Sequence, residues 1–375
     1  MTAHYPPFEP PRRVLMGPGP SNVNPRVLLA MARPTVGHLD PSFLGLMDEV
    51  SAQLRELFGT ANRMTIPISG TGSAGMETAF DNLLEPGDTA IIGVNGVFGQ
   101  RMVANAERAG ARAVTVEAPW GQPLDVGQLV EAHGANPDAR LLAVVHAETS
   151  TGVLQPLEEL GAYLRDRETL FLVDTVTSLG GVPVEVDERG IDVAYSGTQK
   201  CLSVPPGLAP ITLSERAMDR VGARKEKVHS WYLDLSLIGA YWGGERAYHH
   251  TAPVNALYGL HEGLRIILEE GLEERYDRHR RYGAALQAGL IELGLELLVE
   301  EPFRLPQLTS VRVPGGVDEA AFRRQLLARF GIEVGGGLGP LAGSIWRVGL
   351  MGETCREENV TLFLSALDEL MEGEA

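Results

Sequence analysis

The sequence predicts an α/β fold, a mostly parallel sheet covered by helices, with a smaller α+β domain at the C-terminal end. Three observations predict it. Within the first 215 residues, short β-rich apolar runs alternate with amphipathic stretches of helical period. Helices that recur between apolar strands belong to a parallel sheet covered on both faces. From about Leu257 the pattern changes to a long helical stretch, then to shorter strands and helices.

Taken in order, the expected strands are 65–69, 89–94, 113–116, 141–146, 169–174, 193–196 and 210–213, with helices such as 73–84, 99–109 and 156–166 between them. The long helical stretch covers 257–293, and a last helix covers 358–371. Residues 1–20 read as an N-terminal extension, 21–260 as the large domain and 261–375 as the small one. In parallel sheets of this kind, ligands bind beyond the carboxyl ends of the strands. The residues just past each strand therefore matter most.

A chain of 375 residues is long enough to divide into two domains. Hydrophobic residues make up 44% and charged residues 22%, ordinary for a globular protein. The net charge of −17 argues against nucleic acid or an anionic membrane as partner, since both demand clustered Lys and Arg. No apolar run approaches the roughly 20 residues that span a bilayer. The Pro-rich start has no apolar core, so no secretory signal is expected and the protein is read as cytoplasmic. Two cysteines, Cys201 and Cys355, supply neither a disulfide framework nor a four-thiolate metal site.

Three strand ends carry chemistry. In Ile68-Ser69-Gly70-Thr71-Gly72-Ser73-Ala74-Gly75 the glycines match G-x-G-x-x-G between a strand and a helix. A dinucleotide site would need an acidic residue ending the next strand. That strand ends Gly93-Val94-Asn95-Gly96, so NAD is disfavoured. A helix N-terminus lined by small residues still suits a phosphate, and a tight turn without ligand is the bland alternative. In Phe171-Leu172-Val173-Asp174, a carboxylate comes after apolar residues, where burial without a partner is costly. A protonated ring nitrogen, as in pyridoxal phosphate, would satisfy it; a helix cap or turn would also do so. In Tyr195-Ser196-Gly197-Thr198-Gln199-Lys200, a lysine sits at a strand end. Buried, its amine would lose basicity and become able to form an imine; exposed, it would be an ordinary loop lysine.

These segments, together with Met16-Gly17-Pro18-Gly19-Pro20-Ser21-Asn22, Glu148-Thr149-Ser150-Thr151-Gly152-Val153, Tyr248-His249-His250-Thr251-Ala252-Pro253, Gly335-Gly336-Gly337-Leu338-Gly339-Pro340 and Trp346-Arg347-Val348-Gly349, resemble the alanine–glyoxylate and serine–pyruvate aminotransferases of class V. The resemblance runs over nearly the whole chain. It implies the fold-type-I architecture of transferases that use pyridoxal 5'-phosphate. By it, Lys200 carries the cofactor as an imine and shuttles a proton, while Asp174 pairs with the pyridine nitrogen. Val176 and Phe98 would lie on the two ring faces, and Thr149 near the ring 3-hydroxyl. Gly72, Ser73 and Gln199 would contact the phosphate. Tyr248 and Thr251 would reach the phosphate of a neighbouring subunit, which implies a homodimer with sites at the interface. Arg347 would clamp the substrate carboxylate, a task suited to a planar two-pronged donor. Some members have His at Ser73 and Trp at Phe98; Ser73 can still donate and Phe98 can still stack.

The expected reaction moves the amino group of alanine or serine to glyoxylate or pyruvate in two half-reactions. Both donors are small, and Arg347 is the one evident carboxylate anchor. Ureidoglycine or phosphonate aminotransferases share the framework, and a cysteine desulfurase or lyase is the remoter alternative, with Cys355 as its only sulfur candidate. Other tempting residues read plainly. Adjacent His249 and His250 are expected to point apart and to hold no metal. His38 fits either a loop near the substrate or a structural turn. Trp231, Trp242 and Trp346 read as packing residues, and residues 275–282 as a solvated helix face.

Overall fold

The computed structural model describes residues 5–374. Seven strands build the main sheet: β1 (Met64–Ser69), β2 (Thr89–Val94), β3 (Arg112–Glu117), β4 (Leu141–Val145), β5 (Leu170–Asp174), β6 (Val193–Tyr195) and β7 (Leu208–Leu213). Their order is β1-β7-β6-β5-β4-β2-β3. Strand β7 runs antiparallel to both neighbours and every other pairing is parallel. The mostly parallel α/β sheet expected from the sequence is the one observed. Ser69, Val94, Val145, Asp174 and Tyr195 consequently end at one edge of it.

Burial explains the run composition. Strands β4 and β5 are buried at every residue, whereas the edge strand β3 exposes Arg112, Thr115 and Glu117. Each fully buried Leu or Val contributes roughly 1.5–3 kcal/mol, so continuous apolar runs fit the centre of the sheet. Charged side chains on β3 discourage further strand addition at that edge. Helices α1 (Gly72–Leu83) and α2 (Val97–Arg108) come directly after β1 and β2, each starting at the edge where those strands end.

The expected stretch 257–293 is two helices, α3 (Val254–Glu270) and α4 (Leu272–Glu292), broken at Gly271. Its φ of 88° lies where a side chain is strained, so glycine there ends α3 rather than extending it. The basic run at 275–282 is also not a solvated face. Arg275, Tyr276 and His279 are buried. Arg275 donates to the carbonyls of Gly180 and Cys201 and pairs with Glu270, while His279 Nε2 accepts from the N–H of Gly352. Charge in that run serves internal joints, where buried donors meet acceptors.

A second sheet contains β8 (Leu308–Arg312), β9 (Gly335–Gly336) and β10 (Ile345–Gly349), all antiparallel in the order β8-β10-β9. Its core gathers Leu286 and Leu290 from α4, Phe322, Trp346, and Phe363 and Leu367 from α5 (Glu357–Glu374). Met16 belongs to the same core. The segment Val14–Leu15 pairs in parallel with Ile332–Glu333, and the Gly349 N–H donates to the Met16 carbonyl at 2.7 Å. This early segment is thus strapped to the C-terminal sheet. No helix among the described residues is long and apolar enough to cross a membrane.

Candidate active site

The turn between β1 and α1 leaves a bare helix end. Thr71 stands at the N-cap but makes no side-chain capping bond. The first-turn N–H groups of Gly72 and Ser73 therefore lack an intrahelical acceptor and sit at the positive pole of the helix. Ser73 is exposed, and a Cβ on Gly72 would come within 3.3 Å of Val176 Cγ2. Gln199, from the loop after β6, carries a buried Oε1 with no partner among the described residues. Its amide can be turned to present nitrogen or oxygen to a neighbour. Bare donors, small residues and an unsatisfied amide fit an anionic phosphate.

Asp174 ends β5 with its carboxylate buried. Oδ1 accepts from the Val176 N–H at 2.8 Å and Oδ2 from the Tyr195 hydroxyl at 2.9 Å. Burial nevertheless pushes its pKa up to about 7, the two donors pulling the other way. A buried carboxylate at that value is stabilised as an anion by any cation placed beside it.

Lys200 is buried too, on the loop that leaves β6. Burial lowers its pKa to about 8, with the nearby Arg347 cation acting in the same direction. Its Nζ donates to the Pro18 carbonyl. Gly19, with φ of 106°, packs on the lysine chain so closely that a Cβ there would lie 2.7 Å from Lys200 Cδ. The Ser21 hydroxyl donates to the Lys200 carbonyl at 2.7 Å. The 16–22 segment is therefore a wall of the lysine pocket.

Arg347, on β10, is buried, and burial lowers its pKa to about 10, still a cation at neutral pH. Its Nε donates to the Gly336 carbonyl at 2.7 Å and Nη1 to the Thr149 carbonyl at 3.0 Å. These bonds orient the fork and leave further N–H groups for a carboxylate. Thr149 comes next after Glu148 in the hairpin made by Ala147–Glu148 and Val153–Leu154. Glu148 is fully buried, accepting from the Phe98 N–H at 3.1 Å and from the Ser150 N–H and hydroxyl at 3.0 and 2.6 Å. Burial raises its pKa, and those donors oppose the rise. Phe98, at the start of α2, is half-buried beneath the Arg101 guanidinium, 4.9 Å from the ring centroid.

Tyr248 and Thr251 lie on the surface of the chain, Tyr248 at 63% exposure. Tyr248 meets His38 at 5.2 Å between ring centroids. His249 and His250 do not point apart: their Nδ1 atoms are 2.8 Å apart, and His250 Nε2 is 2.8 Å from Ser69 Oγ. Trp242 and Trp346 are packing residues as expected, but Trp231 is 62% exposed and stacks on His249. Among the described residues, no cluster could hold a metal ion.

Lys200, Asp174, Arg347 and Glu148 thus share one electrostatic neighbourhood, each perturbing at least one other's titration. Sequence reasoning misses the parts of Glu148, Tyr195, Pro18 and Gly19. Glu148, Pro18 and Gly19 stand inside the family's motifs, and the polar-after-apolar position of Tyr195 is the only hint for its hydroxyl. Neither thiol suits sulfur chemistry: burial pushes Cys355 up to about 11 and Cys201 up to about 12, so both stay protonated.

A family profile described as Aminotransferase class-V matches residues 17–357. The chain is 50% identical to an alanine–glyoxylate aminotransferase of Nostoc sp., whose crystal structure superposes with a TM-score of 0.96 over 98% of each chain. It is 44% identical over 380 residues to the (S)-ureidoglycine–glyoxylate transaminase of Bacillus subtilis, covering 96% of this chain and 91% of that protein. The alanine–glyoxylate aminotransferase of Callithrix jacchus is 43% identical over 370 residues, covering 98% of this chain and 89% of that one.

Proposed function

The chain belongs to the class V aminotransferases, enzymes dependent on pyridoxal phosphate, and on that premise we propose that it transfers the amino group of L-alanine to glyoxylate. One observation carries the reading: a buried, weakened lysine amine, a strand-end carboxylate and a buried guanidinium meet in one site. Alanine fits because Arg347 is, among the described residues, the one buried guanidinium that the site offers a small substrate's carboxylate. Serine as donor and pyruvate as acceptor fall within the same reading.

Bound there, the cofactor supplies an electron sink for the pair released at the substrate α-carbon. The protein's own groups do the rest. The bare N-terminus of α1, Ser73 and Gln199 would hold the phosphate. Asp174 would hold the proton on the pyridine nitrogen, an assignment supported by its need for a cationic partner. Val176 and Phe98 would fix the ring plane, and Thr149 would sit beside the ring hydroxyl. Lys200 Nζ, near neutral basicity, would take the proton from the substrate α-carbon and pass it to the cofactor's imine carbon, and would move it the opposite way in the second half-reaction. Arg347 would orient the substrate carboxylate, its fork already set by Gly336 and Thr149.

A homodimer completes this reading. Trp231 and Tyr232 are exposed aromatics joined through His249 and His250 to Ser69, next to the phosphate turn, and exposed Tyr248 reaches the same His250 through His38 and Tyr241. A contiguous apolar patch of that kind supports an interface, with Tyr248 and Thr251 reaching the partner's phosphate. Transfer from ureidoglycine to glyoxylate is a second reading, favoured by the Bacillus relative.

An absorbance scan tests the main reading. L-Alanine alone should bleach the cofactor band of purified enzyme with release of pyruvate, and glyoxylate should restore it with formation of glycine. Enzyme that carries cofactor yet never bleaches with alanine overturns the donor assignment; bleaching by ureidoglycine in its place selects the second reading.

A further inference from the structure

Behind the Ala147–Glu148/Val153–Leu154 hairpin lies a cavity of about 460 Å³. One wall comes from the main-sheet side, with His146, Leu154 and Arg189; the other comes from α4 and the chain after it, with Tyr276, Arg280 and Arg304. The rest is four prolines, Val182 and Ala284, with Gln155, Gln287, Glu158 and Glu301 as its polar part. None of the residues assigned above to cofactor or substrate lines it.

The charges in this cavity are unequally matched. Arg189 is paired with Glu158 and Glu185, and Arg280 with Asp277. His146 is neutral, because burial and Arg189 push its pKa down to about 3. Arg304 is half-buried, and the only hydrogen bond of its side chain among the described residues runs from Nε to the Val299 carbonyl, at 2.8 Å. No carboxylate among the described residues pairs with it, in a chain whose net charge is −17. Glu158 is already held by Arg189 and Glu301 is exposed, so a half-buried guanidinium with free N–H groups, beside the apolar part of this wall, asks for an anion with an apolar body.

We propose that this cavity is a second small-molecule site that takes an amphiphilic carboxylate, its head on Arg304 and its body against Leu154, Tyr276 and the prolines. The volume lies in the range that holds small organic ligands, about 300–1,000 Å³. The site is wired to the catalytic hairpin. Arg304 bridges Val153, the Leu305 N–H donates to the Gly152 carbonyl, and the His146 N–H donates to the Asp174 carbonyl. An occupant therefore bears on the back of the segment whose Thr149 carbonyl orients Arg347.

The test is a fluorescence titration of the cofactor-loaded enzyme with 8-anilinonaphthalene-1-sulfonate, an amphiphilic anion. One saturable site per protomer is expected, displaced by 4-phenylbutyrate and not by the uncharged 4-phenylbutan-1-ol. Ala284→Trp, at an exposed helix position lining the cavity, fills it without disturbing the core, and Arg304→Gln removes the head-group partner. Each should weaken probe binding at least about tenfold while the cofactor absorbance stays unchanged. Probe binding that survives both substitutions, or equal displacement by the alcohol, overturns the proposal.

Discussion

The Tyr195 hydroxyl donates to Asp174 Oδ2 at 2.9 Å, across the register pair that joins β5 to β6. The carboxylate proposed to face the cofactor is thus held from behind by a neighbour one strand away. Losing a hydrogen bond to a charged acceptor costs about 1.5–3 kcal/mol, or roughly one to two pKa units. Tyr195→Phe should therefore raise the Asp174 pKa by that amount and weaken cofactor binding about tenfold or more, as read by titrating the apoenzyme with pyridoxal phosphate.

Asp174 also sets a pH dependence of stability. Its folded pKa, about 7, lies above the ordinary 3.8, so the folded state holds the proton more tightly than the unfolded state does. Its ionisation therefore costs stability: nothing below about pH 4, progressively more up to about 7, and the full amount above that. Relative to Asp174→Asn, the apoenzyme should lose roughly 3–5 kcal/mol of unfolding free energy across this window, measured by urea denaturation. A flat difference would contradict the burial of that carboxylate.

The Lys200 amine, lowered to about 8 from 10.5, should govern cofactor capture. Only the neutral amine attacks an aldehyde, so the association rate should rise with pH through about 8 and then level off. Arg347→Gln removes the cation that assists the lowering, so the midpoint should move upward. The same substitution should raise the KM for alanine about a hundredfold, the worth of a charge-assisted pair.

Gly19→Ala should leave the fold intact and damage the lysine pocket. Its φ of 106° and its Cβ, 2.7 Å from Lys200 Cδ, add strain of about 1–3 kcal/mol where the lysine must lie. Attachment of the cofactor should weaken by an order of magnitude or so, while the thermal midpoint of the apoenzyme moves little.

Glu148→Gln tests a residue fixed by donors alone. The amide nitrogen of glutamine would face either the Phe98 N–H or the Ser150 N–H, which then loses its acceptor. An orphaned buried donor costs about 1–3 kcal/mol, visible as a lowered melting temperature together with a weakened grip on alanine.

Much of this architecture is legible because the sheet is local in sequence: apolar runs and amphipathic helices alternate, and Asp174 and Lys200 each lie close enough after a strand to be placed at its end. The missed features depend on contacts between distant residues. Pro18 reaches Lys200 across a separation of 182 positions, and nothing in either motif announces the meeting. Tyr195 reads as an apolar strand residue until the register sets it beside Asp174. The charged run at 275–282 misleads because amphipathic period does not tell a solvated arginine from one serving buried carbonyls. Gly271 alone divides what reads as one helix.

The strap at Val14–Leu15 gives the chain an order of events. This segment leaves the ribosome more than 300 residues ahead of the strand it pairs with, Ile332–Glu333, and of the Gly349 N–H that anchors Met16. Until they do, Pro18 and Gly19 cannot be seated and the lysine lacks one wall. A nascent chain that has emerged only through its main sheet is therefore not yet competent to hold its cofactor, and loading waits for the segment that carries Gly349.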